Sequence, residues 1–159
     1  MQTFTDNQGR EWSIAITVGS IKRVQDLLDV NLAEITGGDP PLLTRLEIDI
    51  VLLCDVIYAV VKPQADEAGV TDEQFGAALG GEAIRAAHGA FWEELADFFR
   101  SLSHTDQAKA IDKQLQLVRA VTDKAVQKID ELQIDDVVEQ AFAESAGSLP
   151  ASSASTPPT

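Results

Sequence analysis

The sequence has little of the chemistry on which most enzymes depend. It contains one cysteine, Cys54, and two histidines, His88 and His104, in 159 residues. A single cysteine excludes an intrachain disulfide, and no His, Cys, Asp or Glu residues have the spacing of metal ligands. The glycine pairs at 37–38 and 80–81 lack the Lys-Ser/Thr pair of a phosphate loop. We therefore predict no catalytic, cofactor-binding or metal-binding residues, and no enzyme activity.

Positive charge and long apolar runs are also scarce. The chain has 26 acidic against 12 basic residues, a formal charge of −14. This excess repels nucleic-acid phosphates and anionic lipids, so neither nucleic acid nor a membrane is predicted as a partner. The most apolar stretch, residues 46–61, is shorter than the roughly 20 residues of a membrane span, and the N-terminus lacks a secretory signal pattern. We expect a soluble protein of the cytoplasm.

The segment "FTDNQGREWSIAIT", residues 4–17, predicts a β-hairpin at the start of the chain. Trp12 and Ile14 alternate with polar residues, which is the period of a half-buried strand. Residues 6–9 have turn chemistry, and Phe4 is expected on the partner strand. A hairpin of this size is marginal alone. It either packs on the helices or pairs through its edge with another copy, which makes Trp12 and Ile14 candidates for self-association.

Amphipathic helices are predicted over most of the remaining chain. The first begins at Thr17 or Ser20, both of which suit helix caps, and ends around residues 32–35. The second is expected from Pro40 to Val61, with an interruption at Pro63. Because apolar residues surround nearly its whole circumference, this second helix should be central.

Two further helices are predicted before residue 103. Thr71 and Gln74 form a capping box that opens a short helix, preceded by Gly69 as a helix C-terminal residue. An aromatic-rich helix runs from residue 82 to about residue 102, and its apolar stripe is typical of a core-facing surface.

A longer helix is predicted from about Thr105 to beyond Glu131. Its apolar positions follow heptad spacing and comprise Ile111, Leu115, Val118, Thr122, Ala125, Ile129 and Leu132. We predict that Ile111, Leu115, Val118, Ile129 and Leu132 bind a partner or a second copy, or fold back on the aromatic helix. The fold class is therefore mainly α with a short N-terminal β-hairpin, a helical bundle and a long C-terminal helix. The predicted divisions are a body over residues 1–102, the long helix over 103–146 and a disordered Ser/Pro-rich tail over 147–159.

A family resemblance rests on the residues from the strand to the aromatic helix. The strand is followed by "ITVGSIKRV", and then Gly69-Val70-Thr71, Glu73 and Phe75 precede a helix from Ala83 to Phe99. Over residues 12 to about 102 this order resembles the small tail assembly chaperone-like proteins of long-tailed bacteriophages and prophages. It is a pattern of core and cap residues without a catalytic signature.

The resemblance implies an acidic, oligomeric assembly factor of the host cytoplasm. Such a protein binds the phage tape-measure protein, the tail tube protein or both, and keeps the tape measure soluble during tail assembly. It also implies that a longer, frameshifted form is made in many family members. A tape measure offers long apolar helical surface, which a soluble chaperone must cover.

Two other functions are compatible with the same composition. One is a structural virion component, such as a connector or minor tail protein, which would place the chain in the particle. The other is an acidic adaptor or DNA mimic that acts on a basic host protein. A DNA mimic should present regularly spaced carboxylates, whereas the acidic residues here are scattered over the predicted outer faces of the helices.

Overall fold

A computed structural model describes residues 1–131 and 141–143 of the chain. It confirms the predicted fold class: a two-stranded antiparallel hairpin followed by helices. The elements are β1 (Gln2–Thr5), β2 (Glu11–Ile14), α1 (Val18–Leu28), a 3-10 turn (Leu32–Glu34), α2 (Leu42–Ile48), α3 (Ile50–Ala68), α4 (Asp72–Ala77), α5 (Glu82–Ser101) and α6 (Thr105–Glu131). Residues 141–143 are helical as well. The predicted tail, 147–159, lies outside the described residues.

The hairpin is stabilised by the side chain of Asp6. Phe4 lies on the partner strand, as expected, and faces Trp12 across the two strands. In the turn, one oxygen of Asp6 accepts the backbone N–H groups of Gln8 and Arg10 at 2.8 and 3.0 Å. The other oxygen accepts Arg10 Nε at 2.7 Å and the indole N–H of Trp12 at 2.9 Å. The Asp6 side chain has no exposed surface, so both of its oxygens are buried and each accepts two hydrogen bonds.

The hairpin covers the helical core. Phe4, Trp12 and Ile14 are all buried. The side chain of Gln64 on α3 pairs with the backbone of Ser13: its Oε1 accepts the Ser13 N–H at 2.9 Å, and its Nε2 donates to the Ser13 carbonyl at 2.7 Å. At that position the edge of β2 is therefore already paired. Of the two explanations for the hairpin, packing on the helices is the one observed, and Trp12 and Ile14 are core residues that present no surface to another copy.

The expected helix from Pro40 to Val61 is in fact two helices, which corrects the prediction. The Asp39–Pro40 peptide bond is cis, and α2 begins only at Leu42. Asp49 separates α2 from α3 because its backbone is extended and its side chain accepts the N–H groups of Val51 and Leu52. A short acidic side chain in this position competes with the helical hydrogen bonds and starts a new helix.

Pro63 does not interrupt α3, which continues to Ala68 and ends at the left-handed Gly69. Proline lacks the N–H that would bond the carbonyl four residues earlier, here Ala59. Arg23 on α1 supplies the missing donor, since its guanidinium lies 3.2 Å from the Ala59 carbonyl and 3.1 Å from that of Val60. A contact from a neighbouring helix therefore allows the proline inside α3.

The caps and the aromatic helix agree with the sequence. Thr17 is the N-cap of α1 and forms a capping box with Ser20, although α1 ends earlier than expected, at Leu28. The Thr71–Gln74 box opens α4. Phe75 of α4 then packs edge-to-face on Trp12, with ring centroids 5.2 Å apart. These contacts join the hairpin and α4 in one core.

The described residues fall into two units, of which the first is Met1–Gln116 and the second begins at Leu117. The division falls inside α6 and not near residue 102, where the sequence placed it. Ala108 and Ile111 are buried in the core of the first unit, and Leu115 packs against that core. Arg100 on α5 also bonds Asp112 on α6 at 2.6 Å. The first turns of α6 therefore belong to the body.

Candidate partner-binding groove

Two polar side chains meet at His88, but nothing around them forms a catalytic set. Nε2 of His88 lies 3.2 Å from a carboxylate oxygen of Glu47 and 3.0 Å from the indole nitrogen of Trp92. An indole N–H can only donate, so Nε2 of His88 either accepts from Trp92 or carries a hydrogen and donates it to Glu47. Both partners converge on one nitrogen, and no hydroxyl or thiol is bonded to it among the described residues. The arrangement is that of a core histidine.

Cys54 is held as a neutral thiol. Burial, together with the negative charges of Asp55 and Asp72, raises the pKa of the Cys54 thiol to about 11. A thiol with this pKa carries almost no thiolate at neutral pH, and the thiolate is the nucleophilic form. Over the described residues, no group of three or more His, Cys, Asp or Glu side chains is placed to hold a metal ion.

The most distinctive surface feature is an apolar groove at the beginning of α3. Ile50 and Val51 open this helix and remain 53% and 65% exposed, and Ile48 before them is 78% exposed. Ile50 and Val51 line a cavity of about 350 Å³. Its lining is Ile50, Val51, Cys54, Asp55, Asp72, Gly76, Leu79 and Ile84. Large aliphatic side chains are thus presented to solvent beside a concave surface.

The groove continues along α3 towards α1. A second cavity of about 240 Å³ shares Asp55 and Asp72 with the first. It is lined by Leu27, Leu28, Asp55, Tyr58, Ala59, Lys62 and Asp72. From Ile50 to Lys62 the helix rises about 18 Å, at 1.5 Å per residue. We call these two cavities, which share two lining residues, the α3 groove. It has the length of three turns of a docked helix.

The charges of the α3 groove are unevenly distributed. Burial, and then the negative charges of Asp72 and Asp49, raise the pKa of the Asp55 carboxyl above its usual range. The nearest cation in the lining, Lys62, already pairs with Asp66 at 2.7 Å. The middle of the groove therefore carries two carboxylates that line both cavities and raise each other's cost of ionisation, and the one cation of the lining is paired elsewhere.

Gly76 makes room in the α3 groove. A Cβ atom built at this position meets no atom within 4 Å. The glycine lies inside α4, where glycine costs about 0.5–1 kcal/mol relative to alanine. The absence of a side chain here keeps one wall of the groove open.

The predicted partner-binding residues do not form one surface. Ile111 is completely buried, Leu115 packs against the core, and Val118 is half-buried. Ile129 is 65% exposed in the second unit, and Leu132 lies outside the described residues. The heptad spacing therefore describes core contacts in its first part. Among the described residues of the second unit, the exposed large apolar side chains are Leu117, Val121, Val126, Ile129 and Phe142.

Sequence reasoning missed the groove because it assigned Ile50 and Val51 to the centre of the core. The apolar residues of this helix cover nearly all its faces, so periodicity does not separate a buried face from an exposed one. The available signal was the number of large aliphatic residues, which exceeds what one core-facing stripe needs.

Comparisons with protein-family models, with curated proteins and with solved structures returned no match to this chain. No helix in the described part of the chain has the length and apolar character needed to cross a bilayer.

Proposed function

We propose that this protein is a tail assembly chaperone that binds the tape-measure protein of a long-tailed phage and keeps it soluble while the tail is built. The α3 groove is the observation that supports this proposal most strongly. It offers exposed aliphatic side chains beside a concave surface, on a chain whose charge of −14 opposes aggregation. A tail assembly chaperone would work in the host cytoplasm.

Helix docking accounts for how the groove would act. An amphipathic helix binds by placing apolar side chains at i, i+3, i+4 and i+7 in a groove. Each large aliphatic side chain moved out of water contributes about 1.5–3 kcal/mol. A few such anchors, at Ile50, Val51 and Leu79, are enough for reversible binding once the entropy lost on association is subtracted. Reversibility suits a chaperone, since tail-tube subunits must later replace it.

Co-expression with a phage tape-measure protein tests the proposal. The tape measure should be more soluble with this protein than without it, and the two should co-purify. The Val51→Lys variant places a charge among the exposed aliphatic residues, and it should lose co-purification while retaining its melting temperature, because surface substitutions usually change stability by less than about 0.5 kcal/mol.

A pair of glycine variants provides a matched control. Gly76→Leu would fill the α3 groove, whereas Gly89→Leu adds the same side chain on α5, outside the groove. Both glycines are inside helices, and at both a Cβ atom meets nothing within 4 Å. Both variants should fold at least as well as the parent protein, but only Gly76→Leu should fail to hold the tape measure.

Two outcomes would redirect the proposal. If Val121→Lys in the second unit abolishes binding while Gly76→Leu does not, the exposed side chains of α6 bind the tape measure. If the tape measure is equally soluble alone and never co-purifies, the chaperone proposal fails. A structural virion component then takes its place, and the protein should be found in purified particles.

A further inference from the structure

We infer that the α3 groove recognises an amphipathic helix whose apolar face is flanked by lysine or arginine, with the basic side chain placed between Asp55 and Asp72. This inference deepens the proposed function, because it takes the same groove as the binding surface and names the chemistry of the occupant.

The shape of the groove selects a helix. The first cavity is bounded by α3, α4 and the start of α5, and the second by α1, α3 and Asp72 at the start of α4. Since Asp55 and Asp72 line both cavities, an occupant that fills both cavities must lie across these two carboxylates. A helix of about 12 residues covers the 18 Å from Ile50 to Lys62.

The charge of the groove selects the flanking residue. The aliphatic side chains lie at the α3 N-terminal end, and the two carboxylates lie one turn further along. Neither carboxylate has an ion pair with a described residue. A cation between them would remove their repulsion, and the apolar surroundings would strengthen the attraction relative to water.

The position of this pair differs from that of the other acidic residues. Glu73 is adjacent to Asp72 in the first turn of α4 but does not line the groove. Asp66 is already paired with Lys62. The excess negative charge of the whole chain attracts any cationic peptide, so only a difference between Asp72 and Glu73 identifies recognition within the groove.

Two synthetic peptides test the inference on the full-length protein. Both are 16-residue amphipathic helices with leucines at i, i+3, i+4 and i+7; one carries lysines beside the leucine stripe, and its twin carries glutamates. The lysine peptide should bind at least about tenfold more tightly, as measured by calorimetry. Asp55→Asn and Asp72→Asn should each weaken it by about twofold to fivefold, the range of a partly exposed ion pair, whereas Glu73→Gln should change it by less than about twofold.

Cys54 reports where the peptide binds. It is the only cysteine in the chain and lines the groove, so alkylation at alkaline pH modifies this position alone. The lysine peptide should slow the alkylation, and Gly76→Leu should abolish this peptide-dependent protection. The Asp55→Asn variant has a further signature: relief of repulsion should raise its melting temperature while its affinity for the peptide falls.

Four results would overturn the inference. If the two peptides bind equally well, the groove has no preference for a basic helix. If Asp72→Asn and Glu73→Gln weaken binding of the lysine peptide equally, the preference comes from the net negative charge of the whole chain. Protection of Cys54 that rises with protein concentration and without peptide makes a second copy of this chain the occupant. If the Asp55→Asn variant binds the tape measure with full affinity, the inference of a basic helix fails but the proposed function stands, since the groove would still bind its partner. Absence of any tape-measure binding would refute the proposed function alone.

Discussion

Asp6 should contribute more to stability than any other charged side chain of the hairpin. The Asp6→Asn substitution conserves shape and can keep one oxygen on the N–H groups of Gln8 and Arg10. It places an NH₂ group where the second oxygen accepts Arg10 Nε and the Trp12 indole N–H. The N–H groups of Arg10 and Trp12 then face another N–H donor and lose their acceptor.

The loss of stability in the Asp6→Asn variant depends on how exposed each of the two donors is. The Arg10 side chain is 31% exposed, so water replaces part of its lost bond and the loss is about 0.5–1 kcal/mol. Trp12 is 2% exposed, so its indole N–H stays without an acceptor, at about 1–3 kcal/mol. The free energy of unfolding should fall by about 1.5–4 kcal/mol, which corresponds to a loss of roughly 5–15 °C in melting temperature.

The assay is urea denaturation with thermal melts, for the parent protein and four variants. Asp26→Asn is the matched control, because it makes the same chemical change at an exposed position and should alter stability by less than about 0.5 kcal/mol. Trp12→Phe removes the buried donor, so Asp6→Asn should cost about 1–2 kcal/mol less in that background. If the Asp6→Asn variant is as stable as the parent, the hydrogen-bond network around Asp6 does not stabilise the fold. If Asp6→Asn costs the same with and without Trp12→Phe, the Asp6–Trp12 hydrogen bond does not contribute.

The pH dependence gives an independent check. Burial alone would raise the pKa of Asp6, but the hydrogen bonds from Trp12, Arg10 and Gln8 outweigh it and lower the pKa below the ordinary 3.8. A lowered pKa stabilises the fold above pH 3.8, and this contribution is lost as the pH falls through the folded-state value. The difference between the parent and Asp6→Asn should therefore be constant near neutral pH and shrink in acid.

Four further substitutions test other parts of the fold. Leu53→Asp should unfold the protein, because Leu53 is completely buried and an unpaired buried charge costs several kcal/mol; a normal circular dichroism melt would contradict this. Arg23→Met should lower stability by about 1–2 kcal/mol, since it removes the donor to the carbonyl that Pro63 leaves unbonded; an unchanged urea midpoint would argue against that role. Asp55→Asn should stabilise the protein at neutral pH, because a raised carboxyl pKa penalises the fold above that pKa and the penalty fades in acid; a fall in melting temperature would count against it. Gly69→Ala should cost about 1 kcal/mol because the backbone φ is +65°; equal melting temperatures would contradict that strain.

Local chemistry was readable from the sequence because it depends on neighbouring residues. The Phe4–Trp12 pairing, the Thr71 capping box and the Gly69 helix end each follow from a few consecutive side chains. The start of α6 at Thr105 follows from helical periodicity in the same way. Short-range hydrogen bonds and backbone preferences determine all of them.

The tertiary structure alone decided which apolar residues remain exposed. Sequence spacing made Ile111 and Ile129 equivalent, yet Ile111 is buried in the body and Ile129 is exposed. It also made Val51 and Leu53 members of one central helix, although only Leu53 is buried. Pro63 stays inside α3 because Arg23, forty residues away in sequence, bonds the carbonyl that the proline cannot. Such outcomes depend on which helices become neighbours, and residue order along a single helix does not contain that information.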